Sequence, residues 1–311
     1  MKKFIASGLA FCSILATIGI TAQPNYPKEP EKALLIYEDL THFVEAYNRL
    51  EVGVDSIKIL NTFYFDKASD GLNEYISRHQ LTPELMIKAI YKHQEEYAQI
   101  AQFVKNIEAI EVEYKIILKK YNTVLPSAIY PPTYLLVGAY RGIGQASKYG
   151  QLVTITNVLD DPDKLFGLIV HELSHFQQVM AMGFEKYVGL YSSPDNMLGL
   201  CLREGGAEFI TSLVLNKITQ ERALAGLNKK ENSLKSSFLE DLKAQDQKYW
   251  LWESLGQNEH PKLLGYAIGY KICKSHYDNS SDNMQSINEI LSMADPDAFL
   301  RSSGYFSDYN H

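Results

Sequence analysis

Cysteine is scarce, with three in 311 residues. That excludes a disulfide framework and leaves the fold to an apolar core, which a chain of this length can build unaided. Basic residues are not in excess: Lys+Arg is 30 against Asp+Glu 37, a formal net charge of −7. Binding to nucleic acid, which runs on clustered Lys and Arg, is therefore not expected. Internal repeats and low-complexity segments are also missing, so collagen-like and wholly disordered classes are excluded.

What is present starts with an export signal. Lys2 and Lys3 form a basic beginning, Phe4 to Ile20 carries no charge, and Thr21-Ala22-Gln23 offers cleavage after Ala22. The apolar run is about 17 residues, short for a comfortable span. Residues 1–22 are thus expected to be removed, leaving a periplasmic or extracellular chain without a membrane span. Removal takes Lys2, Lys3 and no acid, so the net charge moves from −7 to −9. Cys12 follows Phe11 rather than a small residue, which speaks against lipoprotein anchoring. Cys201 and Cys273 then remain, and read as two buried apolar thiols rather than a pair.

Residues 23–125 read as a helical region. Ala33, Leu34, Leu35, Tyr37, Leu40 and Phe43 begin a pattern of three- and four-residue steps that runs to Tyr47. A second helical stretch is expected from Asp66 to Arg78. Thr82 and Pro83 supply a cap and a first turn for a third, and Ala98 to Tyr121 fits one long amphipathic helix. The character changes at Pro126. Thr133–Tyr140 and Leu152–Thr156 are strand-like, and the glycine-bearing segment Gly142–Gly150 makes them a hairpin with a long loop. From Asp161 onward the pattern is helical again. The expected fold is α+β and mostly helical, with 126–311 forming one compact unit with the helical layer before it.

One string carries chemistry: His171-Glu172-Leu173-Ser174-His175, an HExxH. Positions four apart share a helix face, so both imidazoles can address one metal ion with Glu172 beside them. Asp161 can cap this helix, Pro162 fits its first position, and Leu165, Phe166, Leu168, Ile169 and Leu173 supply a surface to bury. A catalytic zinc takes three protein ligands and leaves one position for water. A third histidine in the metzincin position fails, because Ala181 stands there and Gln178 replaces the required glycine. A glutamate on a following helix remains, and Arg203-Glu204-Gly205-Gly206-Ala207-Glu208 provides two on one face; Asp195 is a distant third candidate. Glu204 is assigned as ligand, since Gly205 and Gly206 allow close approach beside it. Glu208 is assigned to hold the free N–H of a ligating imidazole. The swapped assignment stays open.

HELSHFQQ followed by REGGAEF resembles the gluzincin metallopeptidases. More narrowly, Asn61–Tyr75 (NTFYFDKASDGLNEY), Tyr134–Ala146, the two metal segments and Leu264–Tyr277 (LGYAIGYKICKSHY) resemble exported bacterial predicted zinc proteases that include relatives of gliding-motility lipoprotein B. The resemblance implies a zincin-like core, one zinc ion and hydrolase activity. This chain departs from the pattern in lacking a convincing lipobox and in its longer gap between His175 and Glu204.

The expected function is hydrolysis of peptide bonds, with zinc on His171, His175 and Glu204 and with Glu172 as general base toward water. Tyr266, Tyr270 and Tyr277 share a helical face; Tyr270 is the expected oxyanion donor, with Tyr266 and His276 as alternatives. The Gly142–Gly150 segment and a flanking strand are expected to take the substrate backbone as an added strand. Two rivals stay open: a catalytically idle envelope scaffold with the same fold, and a zinc hydrolase of a non-peptide bond.

Overall fold

The computed structural model describes residues 26–50, 53–191, 196–242, 248–251, 262–293 and 295–307. The expected signal, residues 1–22, and Asp195 lie outside the described residues. Helices take most of the rest and a four-stranded mixed sheet sits mid-chain, so the fold is α+β. A 3-10 turn at Pro30–Lys32 leads into β1 (Leu35–Ile36) and six helices: α1 (Glu38–Tyr47), α2 (Ser56–Phe63), α3 (Asp70–His79), α4 (Pro83–Lys92), α5 (Gln94–Lys105) and α6 (Ile107–Val124). The strands β2 (Thr133–Leu136), β3 (Gly144–Ser147) and β4 (Gly150–Thr154) follow. Then come α7 (Pro162–Met182), α8 (Phe184–Tyr191), α9 (Met197–Leu215), α10 (Glu221–Lys229), α11 (Glu231–Glu240), α12 (Lys248–Leu251), α13 (Leu264–Asp278), α14 (Asn283–Ser292) and α15 (Pro296–Ser303). No helix among the described residues is long and apolar enough to cross a membrane.

Several helices start where the sequence supplies a side-chain cap. The Thr82 side chain accepts from Leu85 N with Pro83 in the first turn, and Ser69 and Asp55 cap α3 and α2 in the same way. Asp161 Oδ1 accepts from Lys164 N at 3.2 Å and so opens α7. Three expectations need correction. Leu35 and Ile36 form a strand, because Leu34 O and the Thr133 N–H make a sheet bond there and α1 starts only at Glu38. The stretch read as one helix over Ala98–Tyr121 is two, broken at Asn106. The third concerns the hairpin. β2 and β4 are parallel neighbours, and the hairpin is β3 with β4, joined at Ser147–Gly150. β3 lies inside the segment read as a loop; its sequence, Gly-Gln-Ala-Ser, has no apolar alternation because it is the sheet's edge.

The sheet order is β1-β2-β4-β3. Contacts divide the chain into two units inside α7, with Ser127–Leu173 joining the helical layer and Ser174–His311 joining Val124–Pro126. The change of character at Pro126 is thus one of secondary structure, since β1 from the helical layer pairs with β2.

Buried tyrosines fix the exit of β2. The Tyr64 hydroxyl donates to Val137 O at 2.6 Å and accepts from Val137 N, Tyr97 donates to Gly138 O at 2.6 Å, and Tyr75 donates to Arg141 O. Burial pushes the Tyr64, Tyr75 and Tyr97 hydroxyls well above the usual phenol range, so they remain donors. The strap they hold carries Tyr140 at φ 58° and Gly142 at φ 67°, then enters β3.

In the other unit, α9 and α13 meet through glycine. A Cβ on Gly205 would lie 2.1 Å from Gly269 C, and one on Gly269 would lie 1.9 Å from Cys201 O. Main chain therefore touches main chain, and only glycine fits at either position.

Candidate metal centre

Every residue from His171 to Gln178 on α7 is buried, as is every residue from Met197 to Thr211 on α9. A helix apolar on all sides belongs in a core, and polar groups on it must find partners. Here they find one another. One ligand atom each from His171, His175 and Glu204 gathers within 4.8 Å of the others, all three residues buried. His171 and His175 are one turn apart on an unbroken helix, so the helix itself sets their spacing. His175 Nε2 and Glu204 Oε2 are 3.3 Å apart.

That separation tests the fit of a metal. Ligand bonds of 2.0–2.1 Å in a tetrahedron place neighbouring donor atoms about 3.3–3.4 Å apart. Two imidazoles and a carboxylate form a donor set that could hold a divalent ion, and the His175–Glu204 separation is compatible with such an ion between them. Of the two acids on α9, Glu204 is the one brought to the imidazoles.

Glu204 is held from behind. Arg203 Nε donates to Glu204 Oε1 at 2.9 Å, and Nη2 reaches the same oxygen. Burial, the largest single influence, would push the Arg203 guanidinium toward losing its proton, but the Glu204 charge and hydrogen bond together with the Tyr187 and Tyr266 hydroxyls outweigh it and hold the pKa above its usual value. The pair leaves Oε2 as the oxygen facing His175. Cys201, one turn before Glu204, is a buried thiol held up in pKa by burial and then by the Glu204 charge, and so stays protonated.

Glu172 faces a glycine on the sheet edge. A Cβ on Gly144 would lie 2.8 Å from Glu172 Cγ and Oε1 and 2.6 Å from Leu168 Cδ1. β3 also turns main chain away from β4 at this point. Ile143 O accepts from Thr154 N, so residues 143, 145 and 147 bond inward to β4 while Gly144 and Ala146 point away. Ala146 O accepts from Arg78 Nη1 at 2.9 Å.

Other sequence-predicted residues have partners of their own. Glu208 Oε1 accepts from Thr219 N and Gln220 N, both at 3.0 Å, and from the Thr219 hydroxyl, fastening the turn before α10. The partner of His175 Nδ1 is Gln178, at 2.9 Å, and not Glu208. Sequence reasoning missed Gln178 in this role. Its signal was its place three residues past His175, a polar side chain on the same face of a buried helix. Tyr270 is buried with its ring 5.9 Å from that of Phe209, which Tyr277 also meets at 5.2 Å. Tyr266 and Tyr187 lie near enough to Arg203 to act on its charge. His276 is engaged with Glu289 at 2.7 Å. Cys201 and Cys273 are unpaired: Cys201 Sγ packs at Gly265 and Cys273 Sγ at Gly206. Gly265 and Cys273 stand eight residues apart on α13, about 12 Å along the axis, so the sulfurs sit at different levels.

Comparison of the chain with known protein families, curated proteins and solved structures returned no match.

Proposed function

We propose that the chain is a zinc-dependent peptidase of gluzincin type, built on a zincin-like core and acting outside the cytoplasm. The observation that carries this reading is the buried His171–His175–Glu204 cluster, with a carboxylate at Glu172 placed between the two imidazoles in sequence. A structural metal site needs no base and normally closes its fourth position with protein. Among the described residues, three side chains able to take a metal converge.

His171, His175 and Glu204 would hold the ion, with Arg203 engaging Glu204 Oε1 so that Oε2 faces His175. When bound, zinc supplies Lewis acidity toward water and a scissile carbonyl. Glu172 accepts the proton of the attacking water and returns it to the leaving amine. The outward N–H and C=O of Gly144 offer an extended peptide two main-chain bonds beside that carboxylate, in the manner of strand addition. Tyr270, with Tyr266 as an alternative one turn earlier on α13, would donate to the developing oxyanion.

The test is metal content of the purified chain, then hydrolysis of a peptide library with and without chelator. Near-stoichiometric zinc and chelator-sensitive cleavage are expected. Glu172→Gln should keep the metal and lower turnover by about 10²-fold or more. Equal cleavage by parent and Glu172→Gln would leave the idle-scaffold reading in its place.

A further inference from the structure

Arg203 reaches two of the three ligands, by two routes. Its guanidinium holds Glu204 Oε1 at 2.9 Å. Its main-chain carbonyl accepts from Gln178 Nε2 at 2.8 Å, and Gln178 Oε1 stands 2.9 Å from His175 Nδ1. Gln178 is fully buried, so neither end of the amide has water as a substitute. Donor and acceptor roles along this chain follow without ambiguity. A carbonyl oxygen only accepts, so the amide must turn its nitrogen to Arg203. The amide oxygen then faces the imidazole, and it too only accepts. Nδ1 of His175 therefore carries a proton. In the neutral ring the lone pair is left on Nε2, the atom that faces Glu204 Oε2 at 3.3 Å.

We propose that Gln178 is a positioning residue that transmits the direction of the Arg203 carbonyl to the imidazole of His175, fixing its tautomer and ring orientation for a divalent cation. The inference rests on the metal reading above. It makes α9 the source of order for both Glu204 and His175, the first through a side chain and the second through a carbonyl. The amide is matched to the task. Glutamate could accept from Nδ1–H but would turn an oxygen on the Arg203 carbonyl, and leucine could do neither.

The experiment uses the full chain, with Gln178→Leu and Gln178→Glu beside the parent. Zinc affinity is read by competition with a chromophoric chelator, and the His175 tautomer by 15N spectra of the metal-free protein. In the parent, Nδ1 is expected to be the protonated nitrogen. Gln178→Leu should lose that preference and bind zinc about 10- to 100-fold more weakly. Gln178→Glu should keep the Nδ1–H tautomer and most of the affinity, yet melt at lower temperature because its carboxylate faces a carbonyl. An Nε2–H tautomer in the parent would overturn the proposal even if neither variant folds. So would unchanged zinc affinity in Gln178→Leu, or equal loss in both variants, which would mark a packing role alone. Failure of the parent to take up zinc would instead remove the metal reading, and the tautomer measurement would still decide the role of Gln178.

Discussion

Hydroxyls do the fastening in one half of this molecule and bare main chain does it in the other. In the unit containing the sheet, Tyr64, Tyr75 and Tyr97 each place a phenol on a main-chain group of the strap from Val137 to Arg141. In the unit containing α9 and α13, Gly205 and Gly269 let two backbones touch with no side chain between them. The first arrangement is divisible, because each bond contributes separately, roughly 0.5–1.5 kcal/mol net. The second is not. A single added carbon would sit inside the van der Waals radius of a backbone atom, and backbone cannot swing aside as a side chain can.

The strongest way to break this comparison is Gly269→Ala. With a Cβ 1.9 Å from Cys201 O, α13 must separate from α9. The helix-propensity gain of about 1 kcal/mol is outweighed, and a net loss of about 3 kcal/mol or more is expected. Denaturant unfolding measures it. Under the proposed function, zinc affinity should fall in the same variant, because α9 carries Glu204. A stable Gly269→Ala with parent-like affinity would refute the backbone contact.

Tyr97→Phe probes the divisible side. It leaves the Gly138 carbonyl without its 2.6 Å donor in a buried place, costing about 1–3 kcal/mol, with zinc affinity unchanged. Tyr64→Phe should cost a similar amount, since its hydroxyl serves both the N–H and the C=O of Val137. Amide exchange should rise in residues 137–147 of both variants. Exchange that stays at parent level would mean the strap is held by packing.

These contrasts explain what could be read from the sequence. Caps were legible because they are local: Thr82, Asp161 and Pro83 act on residues within one turn of themselves. The histidine pair on α7 was legible because helical periodicity alone puts His171 and His175 on one face. Glu204 followed by elimination of other candidates, and among the described residues it is the acid that gathers with the two histidines. β3 was not legible, since an edge strand of Gly-Gln-Ala-Ser carries no pattern; only its pairing with Gly150–Thr154 defines it. Likewise Gln178 owes its role to the Arg203 carbonyl, 25 positions later in the chain. Glycine at 205 and 206 looked equivalent, and only the packing of α13 tells them apart.

A third prediction separates stability from chemistry at β3. Gly144→Ala would drive a Cβ into the ends of Leu168 and Glu172, which are flexible and can move. Stability should fall by only about 1–2 kcal/mol, and zinc affinity should hold. Under the proposed function, displacement of the Glu172 carboxyl by about 1 Å should lower hydrolysis on the order of 10²-fold. Parent-like turnover in Gly144→Ala would show that the edge strand does not constrain the base.

The smallest expected effect sharpens the comparison most finely, because it concerns the neighbour of Gly205. A Cβ on Gly206 would meet Ile290 Cγ2 at 3.2 Å and Gln178 Nε2 at 3.4 Å, both side-chain ends, with Cys273 Sγ at 3.8 Å. The required adjustment is a few tenths of an ångström, against a helix-propensity gain of about 1 kcal/mol. Gly206→Ala should therefore lie within about 1 kcal/mol of the parent, whereas Gly205→Ala, one residue earlier, should resemble Gly269→Ala. Unfolding curves for the two alanine variants, measured side by side, decide the matter. If Gly206→Ala were as damaging as Gly205→Ala, the cost would come from the flexibility of the α9 backbone beside Glu204, and the contact with α13 would lose its special standing.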